Sequence, residues 1–408
     1  MVPSDCARSL LLAFTLAGFL SGCATRPTAP PRAAADVLPW GAIQTRTGEH
    51  AANVPILDSI GPAFAHETAP RSRYALLAIS GGGAKGAFGA GLLNGWTKHG
   101  TRPEFKVVTG VSTGALMASH VFLGSRYDAE IERFYTTTTE SDIYVQRNYL
   151  AAAVGDSVMD STPLKARIAA TVDEALLDAV AKAHRSGRRL YVATTDLDGN
   201  RLVIWDMGAI AASIQPDRLQ RYRDVLLASA SIPIAFPPVY FPVAYEGRDY
   251  GQMHVDGGAI ANVFFAGLMV EIQRTIEREN LHRGAPVDFY MILNSTAAPQ
   301  PMASPIQPNL FGIAAALMWS MSWSAQDGQV ARMYDAAVRA GFGFHLAGIP
   351  AGYPDELSTT GFEPVSMTRL FRFAEQLAAR GYPWLDRPPG IDDDFRGGGT
   401  PGRQVGNP

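Results

Sequence analysis

From residue 74 onward, apolar runs of strand length alternate with helix-length segments, the order expected of an α/β domain built on a mainly parallel sheet. Residues 74–80 (YALLAIS) form an unbroken apolar run that reads as a buried strand, and after a glycine loop a helix is expected through about residue 98. The unit repeats: 105–109 (FKVVT) predicts a second strand, followed by a second glycine-bounded loop and a helix through about residue 123. Residues 189–197 and 201–205 flank Asp198-Gly199-Asn200, a composition suited to a tight hairpin. Further strands are expected at 253–256 and 287–294, with helices over about 264–279, 310–339 and 366–380. The apolar stretch 232–241 (IPIAFPPVYF) is broken by three prolines and cannot be a central strand throughout.

Both ends depart from this alternation. Residues 9–20 (SLLLAFTLAGFL) are too short an apolar run to span a bilayer but suit a signal-peptide core, with Arg8 before it. Leu20-Ser21-Gly22-Cys23 follows and resembles the bacterial lipobox, in which small residues precede a cysteine that is lipidated and becomes the mature N-terminus. The only cysteines are Cys6 and Cys23, so a chain matured at a lipidated Cys23 keeps no free thiol and no disulfide. The expected organisation is a signal peptide over 1–22, a lipidated N-terminus and extended Pro/Ala-rich tether over 23–72, one catalytic domain over 73–386, and a disordered Gly/Pro-rich tail over 387–408. The expected location is the bacterial cell envelope, lipid-anchored; Ala24 after the cysteine suits the outer membrane of a two-membraned cell.

Composition narrows the class. With 408 residues, 47% of them hydrophobic and 18% charged, the chain has ample material for a core and is neither disordered nor fibrous. A net charge of −3 without a long basic run argues against nucleic acid as a partner.

Two glycine loops carry the candidate chemistry. Gly81, Gly83 and Gly86 satisfy G-x-G-x-x-G between a strand and a helix, but the next strand ends in Thr109-Gly110-Val111-Ser112 without the acid a dinucleotide site needs. No nucleotide cofactor is expected. The loop still converges backbone N–H groups at a helix N-terminus, where negative charge is favoured, and an oxyanion is negative charge. The second loop, Gly110-Val111-Ser112-Thr113-Gly114, has the spacing of a nucleophile elbow, which lifts a serine hydroxyl clear of the backbone; the bland reading is a serine capping a helix.

A serine needs a base. In the chain order of an α/β-hydrolase that base would be His282 or His345, and neither lies in a recognisable signature. His254-Val255-Asp256-Gly257-Gly258 instead puts a carboxylate at a strand end before two glycines; on its own Asp256 reads as a turn or capping residue, and His254 as structural. No metal site is expected. Asp196 to Asn200 begins like a calcium loop but has its glycine at the wrong position, and His66-Glu67 is followed by Pro70 where a zinc motif needs a second histidine.

Taken in order, the Gly81–Gly86 loop, Gly110-Val111-Ser112-Thr113-Gly114, the Ala228-Ser229-Ala230-Ser231-Ile232-Pro233 segment and Asp256-Gly257-Gly258 resemble the patatin-like phospholipases. The resemblance covers about residues 74–294 and implies a three-layer α/β fold with helices on both sides of the sheet. It also implies a serine acyl hydrolase with a Ser112–Asp256 dyad that uses no histidine. Backbone N–H groups of Gly82, Gly83 and Ala84 would form the oxyanion hole, with no cofactor and a lipid or ester as substrate. Lys85 stands where many members carry Arg, with a role in holding the loop or attracting an anionic head group. Two alternatives remain at this point: an esterase with a histidine base, and a non-catalytic envelope lipoprotein. Residues 232–241 are candidates for lining an acyl path. Residues 310–323, with Trp319 and Trp323 on one helical face, are either a core helix or an acyl-pocket or membrane-facing element. Protein partners are not indicated.

Overall fold

The computed structural model describes residues 26–34, 37–44, 60, 63–64, 73–148, 155–278, 285–297, 305–306, 308, 310–354 and 360–391. The signal core, Cys6, Cys23, His66, Glu67, His282 and the tail beyond residue 391 lie outside the described residues.

Five strands of the sheet run parallel: β2 (Tyr74–Ile79), β3 (Val107–Gly110), β6 (Arg189–Asp196), β10 (Val287–Thr296) and β11 (Gly343–Ile349). Their order is β6-β3-β2-β10-β11. Beyond β6 the sheet turns antiparallel through β7 (Arg201–Asp206) and then β1 (Ala42–Gln44), while β8 (Val239–Tyr245) and β9 (Arg248–Asp256) form a hairpin that joins β6 through β9. A small ribbon of β4 (Val145–Gln146) and β5 (Met159–Asp160) stands apart. Every residue of β2, β3 and β6 is buried, as expected of strands covered on both faces.

Helices cover both faces. On one side lie α1 (Gly86–His99), α2 (Thr113–Leu123), α3 (Asp128–Thr137), α4 (Thr162–Thr171), α5 (Glu174–Arg185), α6 (Met207–Ala212), α7 (Arg218–Ser229) and α10 (Pro364–Ala379), around a core that includes Leu77, Phe88, Val108, Val192 and Phe371. On the other, α8 (Ala266–Arg278) and α9 (Leu310–Ala340) supply Leu268, Ile272, Val330, Met333 and Ala337 to a second core beneath Leu76, Ala78 and Phe289. The chain is therefore an α/β protein with a mostly parallel sheet between two helical layers, as its pattern predicts.

Several elements differ from the sequence reading. Strand β9 starts five residues before the expected 253, and β11 occupies a segment whose two glycines hide its apolar character. Strand β8 begins just after Pro238 and tolerates Pro242 because it pairs with β9 alone. Residues 26–34 and 37–44, which composition assigned to an extended tether, are docked on the domain. The Thr28 carbonyl accepts from the Gly251 N–H (2.9 Å), the Val37 carbonyl accepts from Gln252 Nε2 and from Arg201 (3.0 Å each), Arg26 is paired with Asp198 (2.5 Å), and β1 closes the free edge of β7. An edge strand's unpaired backbone groups explain why even three residues are held there. Trp319 and Trp323, expected on one helical face, cannot be placed, since those side chains lie outside the described set. Among the described residues no helix is long and apolar enough to cross a membrane.

Candidate active site

The site lies at the carboxyl ends of the parallel strands, where backbone leaving the sheet turns into helices. Strand β3 ends at Gly110, and the chain reverses through Ser112 into α2. Ser112 has φ 54° and ψ −124°, a left-handed conformation that is strained for a residue with a Cβ. The flanking glycines make the turn possible: a Cβ on Gly110 would stand 2.6 Å from the Gly114 carbonyl oxygen, and one on Gly114 would stand 2.4 Å from that of Ile79. The strained elbow is pinned from below, because the Ser112 N–H donates to Ser229 Oγ (3.0 Å) and that hydroxyl donates to the Ala193 carbonyl (2.7 Å). Ser229 belongs to the segment singled out between serine and aspartate, and this is what it does.

Sheet register brings Asp256 to the elbow from far along the chain. One edge of β6 pairs with β3 as far as Val192 opposite Gly110, and then with β9 from Thr194 opposite Asp256. Asp256 thus occupies the position β3 vacates when it turns at Ser112. The Ser112 hydroxyl stands close enough to the Asp256 carboxyl to lower its proton affinity. Asp256 also accepts the Gly258 N–H (2.7 Å), and its own N–H donates to the Ser231 carbonyl (2.8 Å). Burial pushes the Asp256 carboxyl up to about 7, outweighing the Ser112 hydroxyl and the Gly258 N–H that pull it down. Gly257 packs against the Ala193 carbonyl, where a Cβ would be 2.7 Å away.

The first glycine loop forms the other wall. A Cβ on Gly81 would lie 3.2 Å from Ser112 Cβ and 2.3 Å from Asn262 Oδ1, so loop and nucleophile candidate are in direct contact. Gly82 (φ 153°) and Gly83 (φ 56°) lead into a 3-10 turn, Gly83–Lys85, and Gly86 opens α1 against Thr113. The N–H groups at the start of a helical turn have no intrahelical acceptor, which leaves those of Gly82, Gly83 and Ala84 suited to an anion beside Ser112. Lys85 is buried at the end of this turn, its N–H donating to the Gly82 carbonyl (3.1 Å).

Residues that sequence reasoning missed hold the loop in place. Asn294, near the end of β10, donates through its N–H to Ser80 Oγ and through Nδ2 to the Ser80 carbonyl (2.8 Å each), and accepts the Gly89 N–H at Oδ1 (3.1 Å). Ser80 in turn donates to the Gly81 carbonyl (2.7 Å). Asn262 accepts the Gly81 N–H at its carbonyl (3.0 Å) and donates through Nδ2 to Gln326 of α9 (2.6 Å). Polar residues at strand ends were the available signal for Ser80 and Asn294.

Among the described residues, His254 and His345 are engaged elsewhere. His254 is fully buried against the rings of Trp205 and Phe241; its Nε2–H donates to Gln252 Oε1 (3.2 Å) and its Nδ1 accepts from Thr194 (2.8 Å). Burial lowers it to about 3, so it is neutral and already bonded at both nitrogens. His345 is held by Asp288 (2.9 Å) and stacked on Tyr290. Asp196 accepts from the Gly199 N–H and from Arg201, the work of a hairpin turn.

A strained serine elbow, a buried carboxyl beside it and a glycine loop thus meet at one edge of the sheet. Residues 77–269 match the family model described as patatin-like phospholipase. A search of curated proteins found no match. Among solved structures the chain is similar to VipD from Legionella pneumophila, at 11% identity and a TM-score of 0.36, covering 76% of this chain and 67% of that one.

Proposed function

We propose that this protein is a serine hydrolase of fatty-acyl esters in phospholipids or related lipids, with Ser112 as nucleophile and Asp256 as base. The observation that carries the reading is the placement of the Ser112 hydroxyl beside a buried carboxyl whose affinity for protons is raised to about 7. An ordinary aspartate, near 3.9, is too weak a base to take a serine proton efficiently; one near 7 is matched to neutral pH.

In this mechanism Asp256 takes the proton as Ser112 Oγ attacks the ester carbonyl. The carbonyl oxygen becomes an oxyanion and receives the backbone N–H groups of Gly82, Gly83 and Ala84. Collapse expels the alcohol, which leaves with the proton held by Asp256, and Ser112 is acylated. Water then gives a proton to Asp256 and attacks the acyl carbon. The fatty acid leaves, and the proton returns to Ser112. Every group needed is a side chain or backbone donor of this chain, and Lys85 supports the turn that presents the donors.

We propose further that Cys23 is the lipidated N-terminus of the mature chain and anchors the domain in a bacterial envelope membrane, on the strength of Leu20-Ser21-Gly22-Cys23 after an apolar run. The domain limits 73–386 and the tail 387–408 belong to the same proposal, extended by the docked residues 26–34 and 37–44.

The test of the dyad is a set of three variants. Ser112→Ala and Asp256→Asn should each lower ester hydrolysis by a factor of 10³ or more, a typical size for loss of such a group. The double variant should be no slower than the slower single one, because the two side chains act in one step. A double variant whose losses multiply would contradict the shared proton transfer.

A further inference from the structure

Helix α9 is too long for the strand it returns to. It enters from the end of β10 and leads back to Gly343, which pairs with Asp288 near the start of β10. Gln326 already stands level with the site edge of the sheet: its Nε2 donates to Ser295 (2.9 Å) and its Oε1 accepts from Asn262 (2.6 Å). From Gln326 to Ala340 the helix follows the sheet and buries Val330, Met333 and Ala337. Residues 310–325, about 24 Å at 1.5 Å per residue, therefore overhang the edge that carries Ser112 and Asp256.

The overhang is apolar on its open side. Ile313, Leu317 and Met321, spaced four apart on one face, are 57%, 59% and 63% exposed, with the exposed Ser320 and Ser324 beside them. No Asp, Glu, Lys or Arg occurs between Asp288 and Asp327. A second apolar group stands at the same edge: Ile234, 63% exposed and at φ 70°, an unusual conformation for a β-branched residue, lies three residues beyond Ser231, whose carbonyl holds the Asp256 N–H. The first described residue of the N-terminal chain stands there too. Arg26 is fastened to Asp198 in the turn after β6, whose carboxyl end belongs to this same edge, and only Ala24 and Thr25 separate Arg26 from Cys23.

We propose that the overhanging half of α9 is a bilayer-docking element that lays its Ile313, Leu317 and Met321 face on the lipid surface and turns the site edge toward it. This rests on the acyl hydrolase reading for its purpose, since a lipid ester must leave its bilayer to reach Ser112. The occupant is a lipid surface because three features coincide at one edge: an uncharged apolar face, the candidate nucleophile, and the fastened Arg26, a few residues from the candidate anchor. Three residue steps of extended chain, from Arg26 back to Cys23, reach only about 10 Å, so an anchor at Cys23 would hold this edge, and no other, against the membrane.

The test uses the full chain carrying Cys23→Ser, so that no N-terminal acyl group contributes, with vesicles of phosphatidylcholine and phosphatidylglycerol. Cosedimentation and two rates are read: hydrolysis of vesicle phospholipid and of soluble p-nitrophenyl butyrate. Leu317→Glu with Met321→Glu should lower vesicle binding and vesicle hydrolysis at least tenfold and leave the soluble-ester rate within twofold. Val338→Glu with Val365→Glu, at exposed apolar positions elsewhere, should change none of the three. Unchanged vesicle binding in the Leu317/Met321 variant overturns the proposal, as does equal loss of both rates, which would make the helix a support of the site. A shift from dimer to monomer in that variant would overturn it in favour of a second copy of the chain. If the unsubstituted chain hydrolyses neither substrate, the hydrolase reading fails, and cosedimentation still decides docking.

Discussion

Ionising Asp256 inside the fold carries a cost that its amide analogue escapes. The carboxyl is buried, and its affinity for protons is raised from 3.8 to about 7. Between these two values the folded protein binds a proton that the unfolded chain has released, so the contribution of Asp256 to stability is fully present below about 3.8 and is lost as the pH rises through about 7. At about 1.4 kcal/mol per pH unit the loss is on the order of 4 kcal/mol above pH 7. Asp256→Asn has nearly the same shape and does not titrate. Its stability relative to the wild type should rise with pH, by about 3 kcal/mol between pH 5 and pH 8. Urea unfolding of both proteins at these two pH values, followed by fluorescence of the buried Trp96 and Trp205, measures the difference directly. The same carboxyl predicts that kcat/KM of the wild type for a neutral ester rises with pH with an apparent pKa near 7, the base being active when ionised. A stability difference that stays constant with pH to within 1 kcal/mol would refute the reasoning, because Asp256 would then have the same proton affinity folded and unfolded.

Two other outcomes follow from the placement of His254 and Cys23. His254→Ala opens a cavity and strands the buried Thr194 and Gln252, so it should cost about 3 kcal/mol in urea unfolding while turnover per folded molecule stays within a few-fold; a loss matching that of Ser112→Ala would move the base to histidine. The wild type should fractionate with membranes and Cys23→Ala should block lipidation, read by mass spectrometry of the mature N-terminus; an unmodified N-terminus elsewhere than Cys23 would refute the anchor.

The elbow was legible in the sequence because its geometry leaves little choice. Gly110 and Gly114 meet backbone oxygens where any Cβ would stand, and the strand before them is uniformly apolar. Asp256 was not legible in the same sense. Nothing local distinguishes it from a turn aspartate, and its meeting with Ser112 depends on β9 taking over the edge of β6 where β3 ends, a register that only family resemblance anticipated. Periodicity also failed where elements are short or mixed: α6 has six residues, and β11 carries glycine at both Gly343 and Gly348. Helix α5 was passed over in the sequence reading although its signals are local, with Asp173 accepting from the Leu176 N–H as an N-cap and an apolar face of Leu176, Leu177 and Val180. The docked N-terminal segment could not be foreseen from a Pro/Ala-rich composition, since what holds it is the free edge of β7 and not a pattern of its own.

The claim that Ser112 is an activated nucleophile is tested most directly by reaction with a fluorophosphonate, followed by proteolysis and peptide mapping. Serine chemistry at the elbow predicts a single phosphonylated peptide spanning Gly110 to Gly114, labelled on Ser112, with labelling abolished in Ser112→Ala and much slower in Asp256→Asn. A label on another serine, or a protein that hydrolyses esters at full rate after the reagent with Ser112 unmodified, would contradict it.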